Sequence, residues 1–364
     1  MKISVVGAGN AGCFTALNFG WTTRKNKDIE VELIHDPNKI SERVGQATLP
    51  DALILLHNSM RFDWYNNFMH ATPKAGILYE GWGKRDKWFH GFPRNQMAMH
   101  YCPWEMQKTV LESGHFKVKE GNVDPKDVDA DYVFDCRGKP DDESQYEDLT
   151  NPINACILGK PNFDTTDALW SRHVATPDGW TFVIPTNSSS PSHDYCVGYL
   201  YNNKITTKEI AEYNMLEMFD VEVTKHITFK SYVAKNPIEE GRIFKNGNRL
   251  FFLEPLESTS LEAYLSWTRE IIDFFNGVKT LEQCSDNIRK HLFQCQNFVL
   301  WHYQFKSKYN TPFWEYAESI SHFEDQEFDD MLANINTRGD EKYLNYSQWG
   351  KWNFRNWHKG MIAK

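Results

Sequence analysis

Ile3-Ser4-Val5-Val6-Gly7-Ala8-Gly9-Asn10-Ala11-Gly12 decides the fold. A short apolar strand runs straight into G-x-G-x-x-G, and a helix-like stretch, Cys13 to Trp21, follows it. The glycines permit a tight turn, close approach of a pyrophosphate and close packing of strand on helix. The helix start offers unpaired N–H donors and partial positive charge to that anion. Alone the motif is weak. Its place between a strand and a helix makes dinucleotide binding the expected role of Gly7, Gly9, Asn10, Ala11 and Gly12. A second strand, Glu30 to Ile34, ends at His35-Asp36, and Asp36 is the carboxylate best placed to bond a ribose. A further strand, Asp131 to Asp135, ends Asp135-Cys136-Arg137-Gly138, which reads equally as a core strand and its turn. No second G-x-G-x-x-G is found, because Gly81-Trp82-Gly83 lacks the strand-to-helix setting.

The rest of the composition narrows the class. A chain of 364 residues can bury a full core as one large or two intimate domains. Hydrophobic content of 41% is globular, and aromatics at 15% suit either an aromatic-lined site or general packing. A net charge of −9 without an extended basic run argues against a nucleic-acid partner. Seven scattered cysteines with no C-x-x-C pair argue against structural zinc, so no metal is expected and a reducing cytoplasm is. The first strand starts at residue 3, so no leader is expected ahead of it, and no apolar run approaches the roughly 18 residues of a membrane span. Residues 124–131, 140–150 and 185–193 read as polar loops. From Leu281 onward the apolar spacing is helical, over Leu281 to Gln294 and again over Asp325 to Asn334.

Chemistry concentrates in Phe252-Leu253-Glu254-Pro255-Leu256-Glu257-Ser258-Thr259-Ser260. An apolar strand, Arg249 to Leu253, stops at proline and opens into two carboxylates and three hydroxyl residues. Such a turn exposes N–H groups and hydroxyls to an anion. It could equally be an ordinary helix start with Ser258 or Thr259 as N-cap. Upstream, Val44 to Pro50 opens an expected helix, Asp51 to Met60, and Phe68-Met69-His70-Ala71-Thr72-Pro73-Lys74 follows. Two aromatic runs stand out, Phe89-His90-Gly91-Phe92 and Gly179-Trp180-Thr181-Phe182-Val183-Ile184-Pro185. Phe298-Val299-Leu300-Trp301-His302-Tyr303 and Asn310-Thr311-Pro312-Phe313-Trp314 complete the set. In order and spacing, from about residue 3 to 314, these segments resemble the flavin-dependent halogenases of the tryptophan-halogenase type.

That resemblance implies an α/β fold: an FAD-binding Rossmann-type (flavin monooxygenase-like, GR2-type) fold with a strand-rich substrate region and a C-terminal helical cap. The FAD-binding domain would span 1–280, discontinuous, with the substrate region inserted at about 70–100 and 150–235. The helical region 281–364 would complete the substrate side. Lys74 stands at the family's catalytic lysine, although most lysines are solvated surface charges. Glu257 would act beside the substrate as polarising group or general base. Leu253 and Ser258 would contact the flavin, and the N–H groups of Thr259 and Ser260 would hold a halide. Trp180, Phe182 and Pro185 would form the wall between flavin and substrate, with Phe182 replacing the family's second Trp. His90 and Phe92 would hold the substrate ring, while His90 could equally be a satisfied half-buried histidine. The family has Glu where His35 stands, a departure that bears on the ribose contact.

The implied reaction turns reduced FAD, oxygen and halide into hypohalous acid, delivered through Lys74 to phenols or indoles, with iodide or bromide preferred. With one dinucleotide motif, reduced FAD would come from a separate flavin reductase. Since tryptophan halogenases are markedly longer, the substrate end is expected to be open. Compactness and an Asn- and Lys-rich composition point to a phage-encoded member; homo-oligomerisation is left open. Two alternatives stand: a flavin-dependent aromatic hydroxylase of the same fold, and a flavin-binding protein without catalysis.

Overall fold

The computed structural model describes residues 1–39, 41–93, 96–140, 142–336 and 345–362. Its helices are α1 (Asn10–Thr23), α2 (Pro50–Met60), α3 (Pro103–Leu111), α4 (Lys208–Met218), α5 (Thr259–Phe275), α6 (Leu281–Gln304), α7 (Pro312–Ile320), α8 (Gln326–Ala333) and α9 (Lys351–Ile362).

A six-stranded sheet carries the dinucleotide motif. Its order is Ile238–Glu239, Ile243–Lys245, Tyr132–Asp135, Lys2–Val6, Glu30–His35 and Lys117–Glu120. All neighbours are parallel except the first pair. The central strand Lys2–Val6 is buried almost throughout, because both of its faces are covered. On one face lies α1, whose Phe19 ring packs 4.9 Å from that of Phe134. Helix α5 lies beside α1, joined by Asn18 Nδ2 donating to Thr268 Oγ1 at 2.6 Å. This is the expected α/β architecture with its parallel sheet.

A seven-stranded sheet forms the second layer. Its order is Val221–Thr228, Ala155–Pro161, Val197–Tyr201, Gly179–Val183, Ser171–Thr176, Gly76–Glu80 and Lys87–Gly91. It draws from the segments expected to be strand-rich. Phe182 sits opposite Gly198, and only glycine fits there: a Cβ would lie 2.1 Å from the Phe182 ring. A small three-stranded sheet, Gln46–Ala47, Ala98–Tyr101 and Thr72–Lys74, sets Lys74 opposite Ala98 and Thr72 opposite His100.

Several expectations shift. The strand expected over Arg249 to Leu253 shrinks to Phe251–Phe252, because Gly247–Arg249 coil into a 3-10 turn. Gly247 has φ +64, and a Cβ there would lie 2.5 Å from that of Ala11. Helix α6 extends past Gln294 to Gln304, launched by a capping box between Thr280 and Gln283. The polar stretch 140–150 contains a strand, Tyr146–Asp148, paired with Tyr232–Ala234. The expected helical cap also carries a β-hairpin, Asn345–Tyr346 with Trp349–Gly350. Residues 337–344 and 363–364 of that cap lie outside the described residues.

Candidate active site

The three motif glycines do different work. Gly7 has φ +102, and a Cβ on it would lie 2.6 Å from the Cys136 carbonyl. A Cβ on Gly12 would lie 1.7 Å from the Gly7 carbonyl. These two allow strand, turn and helix to touch. A Cβ on Gly9 would meet nothing within 4 Å, so this glycine faces open space in front of α1. Helix α1 has no side-chain cap and no acid in its first turn. Its leading N–H groups therefore face the same space, ahead of Cys13, whose N–H reaches Gly9 O at 2.9 Å. The pyrophosphate of a dinucleotide fits this cradle in both shape and sign. Asn10 accepts from Tyr101 Oη at 3.0 Å. Asp36 stands at the end of the second strand, where one carboxylate oxygen accepts from the Asn38 N–H at 2.9 Å.

The Glu254-to-Ser260 turn is bent by its backbone. Glu257 and Ser258 are consecutive non-glycine residues with φ +67 and +55. Each such conformation costs about 1–3 kcal/mol and persists where its surroundings impose it. The kink starts α5 without a side-chain cap. No side-chain oxygen is therefore spent on the leading N–H groups of the helix. Thr259 Oγ1 is buried and has no hydrogen-bond partner. Leu253 is buried just ahead of the turn.

Lys74 meets this turn from the other side. Its side chain is fully buried, and Nζ donates to Ser258 Oγ at 3.0 Å and to Thr48 O at 3.2 Å. The ammonium lies 5.5 Å from the centre of the Phe92 ring. Burial pulls its pKa down to about 8, while the nearby Glu257 pulls the other way. Glu257 is buried too, and neither of its oxygens makes a hydrogen bond. Its Oε1 lies 3.3 Å from His302 Nε2, within ion-pair distance but not aligned as a hydrogen bond. His100 bridges Thr72 Oγ1 at 3.1 Å and Ser171 Oγ at 2.9 Å, and burial keeps it well below the usual imidazole range.

The aromatic wall is anchored by a carboxyl group. Trp180 is fully buried and donates through Nε1 to Glu254 Oε2 at 2.8 Å; Tyr303 Oη donates to the same oxygen at 2.9 Å. Burial pushes the Glu254 carboxyl up to about 8. Phe182 meets Trp180 edge-on at 6.3 Å, and His173 lies 4.8 Å away. Pro185 contributes its carbonyl, which accepts from Thr72 Oγ1 at 2.8 Å and ties the wall to the strand of Lys74.

The region around His90, expected to be open, is covered. His90 is buried, with the Trp357 ring stacked on it at 4.1 Å and 13°. Helix α9 lies across the strand Lys87–Gly91, where a Cβ on Gly360 would lie 2.3 Å from the Trp88 ring. Its last turn is held by the Lys84 N–H to Met361 O, 2.9 Å. Burial is the first cause that pulls His90 down to about 3. Phe92 is buried beside Lys74.

The structure thus brings Lys74, Glu257, Ser258 and Phe92 together, and Trp180 joins the same turn through Glu254. Sequence reasoning gave no role to Glu254, Tyr79, His302, Tyr303 or Trp357. The available signal was a lone polar residue in an apolar run, Glu254 after Phe-Phe-Leu and His302 after Phe-Val-Leu-Trp. A surface cavity of about 450 Å³, lined by Asp51, Glu262, Arg269 and His291 among others, contains none of these site groups. Among the described residues, no helix is long and apolar enough to cross a membrane, and no cluster of His, Cys, Asp and Glu could hold a metal.

The family model for tryptophan halogenases matches residues 2–117 and 114–364. The fold is similar to that of MibH, a tryptophan 5-halogenase, with a TM-score of 0.83 at 17% identity, covering 100% of this chain and 86% of that one. It is also similar to Xcc4156, a flavin-dependent halogenase from Xanthomonas campestris, with a TM-score of 0.79 at 16% identity, covering 100% and 89%. BrvH, a flavin-dependent halogenase from Brevundimonas sp. BAL3, gives 0.76 at 16% identity, covering 100% and 91%. At these identities the likeness bears on the fold.

Proposed function

This chain belongs to the tryptophan halogenase family, and from that premise we propose that it delivers hypohalous acid through Lys74 to electron-rich aromatic rings. The observation that carries this reading is the buried Lys74 ammonium, 3.0 Å from Ser258 on the turn that starts α5. In this reading the FAD-binding unit spans 1–280, with its substrate insertions, and the helical unit 281–364 completes the substrate side.

Gly7, Gly9, Asn10, Ala11 and Gly12 would hold the pyrophosphate of FAD, Asp36 its ribose, and Leu253 and Ser258 its ring edge. Bound in reduced form, FAD would supply, with oxygen, the oxidising power that converts halide to hypohalous acid. The N–H groups of Thr259 and Ser260 would fix the halide at the α5 N-terminus. Trp180 and Phe182 form the apolar lining past which the small oxidant moves, excluding water that would otherwise consume it. The Lys74 ammonium hydrogen-bonds the hypohalous oxygen or carries the halogen as a haloamine. Glu257 takes the ring proton by general base action. His90, Phe92 and Pro185 belong to the substrate side.

Phenols and indoles are the proposed substrates, because a flat apolar ring suits the aromatic surroundings of Lys74. Iodide and bromide are proposed ahead of chloride because they are the better nucleophiles; a barrier difference of about 1.4 kcal/mol gives a tenfold preference. Reduced flavin is proposed to come from a separate reductase. A cytoplasmic setting and a phage source belong to the same reading, on composition alone. Incubation with reduced FAD, oxygen, bromide and a phenol or indole tests it by mass spectrometry. Added bromine supports the proposal, added oxygen the hydroxylase alternative, and an unchanged ring a flavin-binding protein.

A further inference from the structure

Glu257 is the proposed proton acceptor, and it has a neighbour that no role yet uses. Both of its oxygens are buried without hydrogen-bond partners. As a carboxylate it is balanced by Lys74, whose pKa it raises. Once it has taken a proton it becomes a buried O–H donor and needs an acceptor, since an unmatched buried donor is costly. His302 Nε2 lies 3.3 Å from Oε1.

His302 is prepared for that task. It is fully buried, and its Nδ1 lies 2.8 Å from the Phe298 carbonyl one turn earlier on α6. A carbonyl can only accept, so Nδ1 carries a proton, and in the neutral ring Nε2 presents its lone pair. Tyr79 Oη lies 3.3 Å from the same Nε2 and can donate to it while Glu257 is ionised. Tyr79 is itself fixed by stacking on Trp88 at 4.3 Å and 3°. The other titratable groups that sense this ring are His90 and His173, both held below the usual imidazole range by burial.

We propose that His302 is the positioning residue that accepts the hydrogen bond of protonated Glu257 after ring halogenation. This rests on the reading of Glu257 as the base. The step balances. The ring carbon gains halogen from hypohalous acid, whose hydroxide leaves as water with a proton from the Lys74 ammonium. The ring C–H bond breaks, its electron pair restores aromaticity, and its proton passes to Glu257. The Glu257 O–H then donates to His302 Nε2 until the proton returns to the Lys74 amine. The net change is arene plus hypohalous acid to haloarene plus water.

Two measurements test it. The first needs no turnover: ¹⁵N spectra of the histidine rings in the purified protein at neutral pH. Protonated Nδ1 and bare Nε2 at His302 are expected; a proton on Nε2 overturns the inference whatever the protein catalyses. The second compares wild type with His302→Phe, checked for FAD binding, on a ring-deuterated phenol. Wild type should show no primary isotope effect. The variant should turn over roughly tenfold more slowly, as for a buried donor left without its acceptor, and should acquire a primary isotope effect. A change that only loosened packing would slow turnover without creating the isotope effect, and that result overturns the inference while leaving Glu257 as base. Full activity in Glu257→Gln would remove both.

Discussion

Lys74 Nζ donates to Ser258 Oγ at 3.0 Å, across 184 residues of sequence. The bond joins the short strand Thr72–Lys74 to the strained turn before α5. Glu257 and Ser258 both hold left-handed backbone there. Lysine and turn therefore form one unit, and a change in either is felt by the other.

The lysine sets a pH dependence. Its pKa is pulled from an ordinary 10.5 to about 8 by burial. If the ammonium is the working form, halogenation should fall as pH rises through about 8. Stability moves the other way. Between about 8 and 10.5 the unfolded chain binds more protons at this site than the folded one, so this group makes folding more favourable as pH rises. Below that window the buried charge costs about 3 kcal/mol. Wild type should thus gain stability as pH rises through this window, a rise that Lys74→Met should not show. Thermal unfolding across this range checks the sign.

The glycines separate folding from binding. Gly9→Val places its side chain in open space, so the protein should fold normally yet bind FAD far more weakly. Gly12→Ala puts a methyl group against the Gly7 carbonyl and should fail to fold. Calorimetric titration with FAD, beside a melting curve, distinguishes the two. Normal FAD affinity in Gly9→Val would refute the cradle.

Glu254 should matter to the wall more than to the chemistry. Glu254→Ala leaves the Trp180 and Tyr303 donors without their shared acceptor and should cost about 3 kcal/mol. The carboxyl pKa is raised to about 8, so between its ordinary 4.5 and that value the folded state binds the extra proton. Stability from this group should decline as pH rises across that window. Glu254→Gln should keep an acceptor for both aromatics and flatten that slope in denaturant titrations.

Flavin supply is the next expectation. The purified protein should oxidise NADH or NADPH negligibly, and a flavin reductase added in trans should switch activity on. Rapid NADH consumption by the protein alone would favour a self-reducing hydroxylase.

Much of this was legible in sequence where local chemistry decides. Strand, glycine turn and helix at residues 3–21 announce themselves, because Gly7 and Gly12 there answer backbone demands. Lys74 could be located only by its order among flanking motifs, since nothing local marks a lysine as buried. Glu254 and His302 escaped because their roles depend on partners 74 and 223 residues away in sequence, Trp180 and Tyr79. The cover over His90 escaped for a similar reason. Trp357 reaches His90 through the packing of α9 on a distant strand, which a linear reading cannot see.

The most direct test of the central claim is Lys74→Ala assayed with reduced FAD, oxygen, bromide and a reactive phenol, following brominated product and free hypobromous acid caught by a small trap. The account predicts that FAD binding and hypobromous acid release persist while product bromination falls by a hundredfold or more, the scale of a lost positioned proton donor, about 10²–10⁴. Bromination at near the wild-type rate would contradict it, and loss of FAD binding would make Lys74 structural instead.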